Sequence, residues 1–455
     1  MKKAITIFGS TGNLMYKKLI PALDSLLKKG HLDEDTKIYC MARKDCTLED
    51  YIEDAKKQVK EEIDWDRLIP YLNYIKIDIN TVDGYKLLNE TMMEDGITDS
   101  TFYLAVPPVL FPLIAKGISD SGLINKKEDN KRIVFEKPFG ENLESAKNIN
   151  KQLWNYFDET QIYRIDHYLG KEMIQNILVV RFANKIFEQA WNNETIDSVH
   201  IIAKETESIM SRGGYYDKIG ALKDMLQSHL LQMASLIAME KPKTYKSEDI
   251  KNAKVKVFKD FKILPKDVIT GQYKGYRNED KVDPNSTTET FVFAQASINN
   301  ERWRGVPFYF TTGKNLDEKR SEIIVNFKST EGSEDLWPEQ AKTKNQLVIK
   351  VAPEEGVMFQ FNVKEPGLGE HIVPAKLDYC HSCQSLENTP EAYEKLLLDL
   401  LNNHRTLFTR WDEIESTWTI IDKLITSIKA PIIYKDYSEI KELIYSSYGE
   451  DIDDL

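Results

Sequence analysis

Two stretches of the chain carry side chains able to move protons and hold anions. One is Arg164-Ile165-Asp166-His167-Tyr168-Leu169-Gly170-Lys171-Glu172. His167 and Lys171 stand four apart, so a helix beginning here would set both on one face. Together they would make a compact cationic site for a phosphate. Asp166, next to His167, would point elsewhere. A salt-bridged surface turn would use the same residues. The other stretch is Ile219 to Met239. Apolar residues at 222, 225, 226, 230, 233, 236 and 237 form one helical stripe, and His229 falls within it. A histidine on such a stripe is commonly a hydrogen-bonded core residue. Oriented by a carboxylate, the same imidazole takes a proton near neutral pH and leaves that carboxylate ionised. Asp166 is a candidate for the carboxylate. Asp224, five residues before His229, lies off its face on an α-helix and would line the entrance.

Further candidates end β-rich runs. Lys137 precedes Pro138 at a strand's carboxyl end, where α/β sheets bind ligands. Glu205 lies just past a β run, before Arg212-Gly213-Gly214, and Lys314 follows Gly313, with Lys319 and Arg320 beyond. Each alone reads as an ordinary surface residue. Cys380-His381-Ser382-Cys383 resembles a redox or zinc fragment. A zinc site needs about four ligands and no second half stands near, so no metal site is expected.

A nucleotide site is easier to read. Gly9-Ser10-Thr11-Gly12-Asn13 lies between the β-rich run Ala4–Phe8 and a helical pattern over Leu14–Leu27. Glycine permits close approach to a pyrophosphate, and a helix N-terminus supplies N–H donors and a partial positive charge. The G-x-x-G spacing departs from G-x-G-x-x-G, and a plain turn with a helix cap is the other reading. A second strand, Ile38–Ala42, completes a βαβ unit and runs into Arg43-Lys44. Two bases there suit the 2′-phosphate of NADP. Asp45 follows, which keeps NAD open as a second acceptor.

These residues need elements to hold them. Strands are expected at 74–77, 101–106 and 132–135, with helices between them, which implies a doubly wound parallel sheet over the first ~160 residues. Helices are expected at 171–182 and 219–239. Strands follow at 199–203, 290–298, 308–311, 321–327, 346–351 and 357–363, and helices at 390–429. Segregated strands predict an α+β second domain with a large, mainly antiparallel sheet. The polar segment 273–288 is expected to be a mobile loop, and the acidic end 449–455 to fray. The net charge of −12 over 455 residues argues against nucleic acid as a partner. No run approaches ~20 apolar residues, so no membrane helix is expected. The N-terminus does not read as a signal peptide. Four cysteines make no disulfide scaffold, and the cytoplasm is the expected compartment.

With these residues in view, the chain resembles the glucose-6-phosphate dehydrogenases. "RIDHYLGKE" (164–172) is similar to the signature segment of that family. "FEKPFG" (135–140), "RGGYYDKIGALKDMLQSHLLQM" (212–233) and "VPFYFTTGKNLDEKRSE" (306–322) are similar to further family blocks, in order. So are "NQLVIKVAPEEGVMF" (345–359) and "EAYEKLLLDLL…TLFTRWDEIE" (391–415). The resemblance implies a Rossmann NADP-binding domain over 1–165 and a β+α substrate-binding and dimerisation domain over 166–455. It implies oxidation of glucose 6-phosphate to 6-phosphogluconolactone, the first step of the oxidative pentose phosphate pathway, in a homodimer or homotetramer. His229 matches the catalytic base and Asp166 the carboxylate that orients it. His167, Tyr168 and Lys171 match the phosphate-binding residues. Lys137, Glu205 and Asp224 match contacts to sugar hydroxyls, and Lys314 and Lys319 match further substrate-binding lysines. Gly9, Ser10, Thr11, Gly12, Asn13 and Leu14 match the pyrophosphate loop, and Arg43 the 2′-phosphate reader. Pro107 and Lys137 match further cofactor contacts. Two departures stand out. Asn13-Leu14-Met15 replaces a common Asp-Leu-Ala, where Asn can still cap a helix. "CHSC" stands where the family usually lacks cysteine, which favours incidental thiols. Sugar and inositol dehydrogenases of another Rossmann family share Glu-Lys-Pro at a strand end but lack the 164–172 block.

Overall fold

The computed structural model of the protein describes residues 2–330, 344–384 and 391–449. The acidic end, expected to fray, lies outside these residues beyond Gly449. Two compact units share the chain. The first holds residues 1–171, 244–251 and 390–415, and the second holds the rest. The sequence reading puts everything after 165 into one domain. The segment 390–415 joins the first unit because helix Ala392–Leu401 packs on helix Ile20–Lys28 and on the turn His167–Gly170. There Glu394 accepts hydrogen bonds from Ser25 Oγ at 2.8 Å and Lys29 Nζ at 2.6 Å.

The first unit's strands are β1 (Lys3–Phe8), β2 (Lys37–Ala42), β3 (Leu72–Lys76), β4 (Asp99–Leu104), β5 (Lys131–Phe135) and β6 (Ile162–Ile165). The second unit contributes β7 (Ile196–Lys204), β8 (Phe261–Tyr273), β9 (Phe291–Ile298), β10 (Phe308–Gly313), β11 (Arg320–Phe327), β12 (Gln346–Ala352), β13 (Gly356–Lys364) and β14 (Ile372–Cys380). Two short late strands complete the set, β15 (Phe408–Thr409) and β16 (Ile432–Tyr434).

The first sheet runs β15-β6-β5-β4-β1-β2-β3, and its strands are parallel except for β15. Its near-continuous burial in β1, β2 and β4 is what a parallel strand covered on both faces requires. The order reverses between β1 and β4, the place where a doubly wound sheet opens a crevice at the strands' carboxyl ends. The second sheet runs β14-β13-β12-β11-β7-β10-β9-β8-β16 and is parallel only at β7–β10 and β8–β16. Both expected architectures are therefore present.

Three differences from the sequence reading have local causes. β8 spans 13 residues despite Pro265, because the ladder to β9 shifts register between Ile263 and Val268 and leaves the proline without a partner. β14 carries Pro374 and little alternation, which an edge strand tolerates. Residues 273–288 form a loop, but one that is tied down. Tyr276 is buried and gives its hydroxyl to Asp217 at 2.9 Å, and Ser286 Oγ and the Asp283 N–H bond the same carboxylate. Cys380 and Cys383, expected to be incidental thiols, are joined as a disulfide, while Cys40 and Cys46 are free.

Candidate active site

The first unit builds a cleft around its glycine turn. Gly9 follows β1 with φ 86°, and its N–H and that of Ser10 both donate to the Met41 carbonyl, at 3.0 and 3.1 Å. The chain turns back through Gly12 N–H to the Gly9 carbonyl, 3.0 Å, and becomes helical from Asn13. No side-chain hydrogen bond caps this helix, so Asn13 does not take the capping role expected of it. The first-turn N–H groups of a helix have no partner inside it, and such groups suit an anion. Met15–Leu19 is π-helical before the rod continues as α-helix over Ile20–Lys28.

Gly9, Thr11 and Gly12 after β1, Arg43 after β2, Asn80 after β3 and Pro107 after β4 line one pocket. Ser10 is buried beneath it, its carbonyl accepting from the Tyr51 hydroxyl at 3.1 Å. Asn13 and Leu14 stand at the helix start and do not line the pocket. A dinucleotide fits this cradle, because a Cβ on Gly9 would fill it, 2.4 Å from the Ala105 carbonyl oxygen. The bases after β2 divide. Arg43 faces the pocket, whereas Lys44 is ion-paired to Asp54. Asp45, which keeps NAD open in the sequence reading, is exposed and bonds Lys76 at 2.6 Å. Asn80 and the loop it belongs to were not anticipated. Asp78 accepts from the Asn80 backbone and side chain, which with the Arg43 charge holds its carboxyl below the usual range.

Lys137 leaves the carboxyl end of β5 beside Glu136, whose carboxylate accepts from the Tyr103 hydroxyl. Burial raises the Glu136 carboxyl, against hydrogen bonds from Tyr103, Tyr393 and the Lys137 N–H. At the end of β6, Asp166 is buried and its Oδ1 accepts from the Tyr168 N–H at 3.0 Å, capping a tight turn over His167–Gly170. The expected helix begins only at Glu172, and Lys171 is extended, so His167 and Lys171 do not share a helical face. The turn gathers them in another way. The His167 ring meets the Tyr168 ring edge-on, and Lys171 Nζ lies 4.2 Å from the centre of the same ring.

The second unit supplies its own group. β7 and β10 are parallel neighbours with Lys204 opposite Gly313, so Glu205 and Lys314 leave them at one level and their side chains ion-pair. Tyr216 lies beneath, its ring centre 5.5 Å from Lys314 Nζ. Burial, then the charges of Asp224, Glu289 and Glu205, push its hydroxyl well above the ordinary range. Glu205, Asp224 and Lys314 thus gather around one tyrosine that sequence reasoning missed; its only signal was its place in the 212–233 block. Lys319 is exposed on the turn before β11.

Asp224 and His229 are both buried, on a segment Leu222–Leu230 that is π-helical rather than α-helical. Hydrogen bonds from i to i+5 bring residues five apart to about one turn. Asp224 and His229 therefore share a flank, contrary to the α-helical expectation that places them on different faces. Such segments concentrate at functional sites, and their period is invisible to a 3.6-residue pattern.

A doubly wound sheet with a glycine-lined cleft at its switch point, joined to a second unit rich in convergent acids and lysines, defines a nicotinamide-dependent dehydrogenase. The family model of the glucose-6-phosphate dehydrogenase NAD binding domain matches residues 6–176, and that of the glucose-6-phosphate dehydrogenase C-terminal domain matches 178–445. The chain belongs to the glucose-6-phosphate dehydrogenase family. It is 39% identical to the glucose-6-phosphate 1-dehydrogenase of Bacillus subtilis (strain 168), over 93% of this chain and 91% of that protein. It is 37% identical to the cytoplasmic glucose-6-phosphate 1-dehydrogenase 5 of Arabidopsis thaliana, over 97% and 88%. A glucose-6-phosphate dehydrogenase solved in complex with its substrate glucose-6-phosphate superposes with a TM-score of 0.88 at 33% identity, covering 95% of this chain and 94% of that one. A levoglucosan dehydrogenase in complex with NADH and L-sorbose, TM-score 0.52 and 12% identical over 95% of this chain and all of that one, shares the fold. No described helix is long and apolar enough to cross a membrane.

Proposed function

We propose that the protein oxidises D-glucose 6-phosphate at C1 to 6-phospho-D-glucono-1,5-lactone with NADP, opening the oxidative pentose phosphate pathway. The observation that carries this is the match of both family models, together spanning residues 6–445. Bound NADP supplies the hydride acceptor. His229 takes the proton of the C1 hydroxyl, a role worth roughly 10²–10⁴-fold for a positioned base. Asp166 serves as the carboxylate partner that stabilises the imidazolium. His167, Tyr168 and Lys171 hold the 6-phosphate, and their gathering on one tight turn supports that assignment. Glu205, Asp224 and Lys314, grouped around Tyr216, bind sugar hydroxyls together with Lys137 and Lys319. Gly9, Thr11, Gly12 and Pro107 hold the dinucleotide and Arg43 its 2′-phosphate, while NAD is at most a secondary acceptor because Asp45 is engaged by Lys76. We read the assembly as a homodimer or homotetramer, and the compartment as cytoplasmic, as in the cytoplasmic Arabidopsis relatives.

The test is reduced-nicotinamide absorbance with glucose 6-phosphate and with glucose, NADP and NAD in parallel. Turnover should require the phosphate and favour NADP. His229→Asn should keep substrate affinity and lose at least about a hundredfold in kcat. Turnover within about tenfold of the unsubstituted enzyme would remove His229 from the base role.

A further inference from the structure

The helix carrying Asp224 and His229 starts irregularly. Gly213–Ala221 and Leu222–Leu230 follow one another directly, but the chain kinks between them at Gly220, which holds φ 68° and ψ 174°. Such a break leaves the N–H groups of the following turn without helical partners. Glu289, two residues before β9, supplies them. Its backbone carbonyl accepts from the Ala221 N–H at 3.0 Å, and its carboxylate from the Leu222 N–H at 3.0 Å. The carboxylate also occupies the space of the side chain that position 220 lacks, since a Cβ there would come within 2.3 Å of Glu289 Oε1. Any residue larger than glycine would push Glu289 off Leu222.

Beyond this clamp the helix takes an unusual form. The nine residues Leu222–Leu230 are π-helical, a register seldom adopted without something to hold it. The register matters because it sets Asp224 and His229 one turn apart on one flank. We infer that Glu289 is a positioning residue, clamped against Gly220 so as to fix the start and the π register of the segment that presents Asp224 and His229. The inference rests on the reading of His229 as the base. A carboxylate at this point also suits the positive end of the helix. Burial raises the Glu289 carboxyl to about 7, against the Leu222 N–H and the Lys223 charge, and either protonation state retains an oxygen to accept from Leu222.

The experiment measures kcat and KM for glucose 6-phosphate, and NADPH affinity by fluorescence titration, in Glu289→Ala, Glu289→Gln, Gly220→Ala and the Gly220→Ala/Glu289→Ala double variant. Glu289→Ala should lower kcat by about ten- to a hundredfold, the scale of a displaced catalytic group. NADPH affinity should stay within about twofold, because the glycine cleft belongs to the other unit. Glu289→Gln, which keeps an oxygen acceptor, should recover most of kcat. Gly220→Ala should also lose kcat, and the double variant should lose less than the product of the two, because the new methyl no longer meets a carboxylate. Multiplicative losses, or a Glu289→Ala kcat within about twofold of the unsubstituted enzyme, would overturn the inference. Should Glu289→Ala fail to fold, Gly220→Ala decides: loss of kcat with unchanged NADPH affinity supports the clamp, and unchanged kcat overturns it. A His229→Asn variant that keeps turnover would sink the base reading instead, whatever Glu289 does.

Discussion

Gly9 shows how much a single residue can decide. Its φ of 86° is strained for any other side chain, and a Cβ would meet a backbone oxygen, which cannot swing aside. Gly9→Ala should therefore cost about 1–3 kcal/mol of stability and weaken NADP binding more than tenfold or so, by displacing the turn from Ala105. Thermal melting and fluorescence titration would read both; unchanged affinity would show that the turn does not seat the pyrophosphate. This residue was legible because strand, turn and helix are adjacent in sequence. Arg43 was legible for the same reason. Asn80 was not, since only the pairing of β3 beside β2 brings its loop to the cleft. His167 and Lys171 were found by their types, while the arrangement that joins them, a capped tight turn with a shared tyrosine ring, depends on Asp166 bonding the Tyr168 N–H.

At the scale of elements, helix ends decide more than helix interiors. Arg181 closes the carboxyl end of the helix Leu231–Ala238. It is buried, donating from Nη1 to the Leu236 carbonyl at 2.6 Å and from Nη2 to the Met239 carbonyl at 2.8 Å. Burial lowers its guanidinium to about 9, which leaves it charged at neutral pH. Replacing it strands two carbonyls that a helix end cannot satisfy itself. Arg181→Leu should lower stability by about 2–4 kcal/mol, read as a lower urea midpoint. An unmoved midpoint would mean that those carbonyls find other partners. In the sequence Arg181 is merely a charged residue near a helix end. The strands with regular alternation or continuous apolar runs were legible, and β8 and β14 were not, because their prolines are excused by a register shift and by an edge position.

The whole molecule adds burial, which changes titration. His200 on β7 is 4% exposed and contacts Ser198 Oγ at 3.2 Å. Asn326 on β11 donates to that hydroxyl, and Gln346 on β12 donates to Asn326, both at 2.9 Å. Burial first, then the Lys344 charge, lowers the imidazole to about 4. The folded chain thus keeps His200 neutral where the unfolded chain protonates it. Its contribution is intact above about 6.5 and is lost as pH falls from there towards about 4, up to roughly 3 kcal/mol in all. Urea unfolding at pH 7 and pH 5 should show a smaller acid loss in His200→Gln than in the unsubstituted protein, and equal losses would refute this. The limits of sequence reading come from the same physics. Hydrophobic period, glycine placement and ordered motif blocks are written along the chain, and they determined the two architectures, the glycine turn after β1 and the family. The π register of Leu222–Leu230, the Gly220–Glu289 clamp, the convergence on Tyr216 and the turning of Asp45 away to Lys76 depend on residues far apart in sequence. Only tertiary packing brings their hydrogen bonds and excluded volumes together, so only the folded chain could decide them.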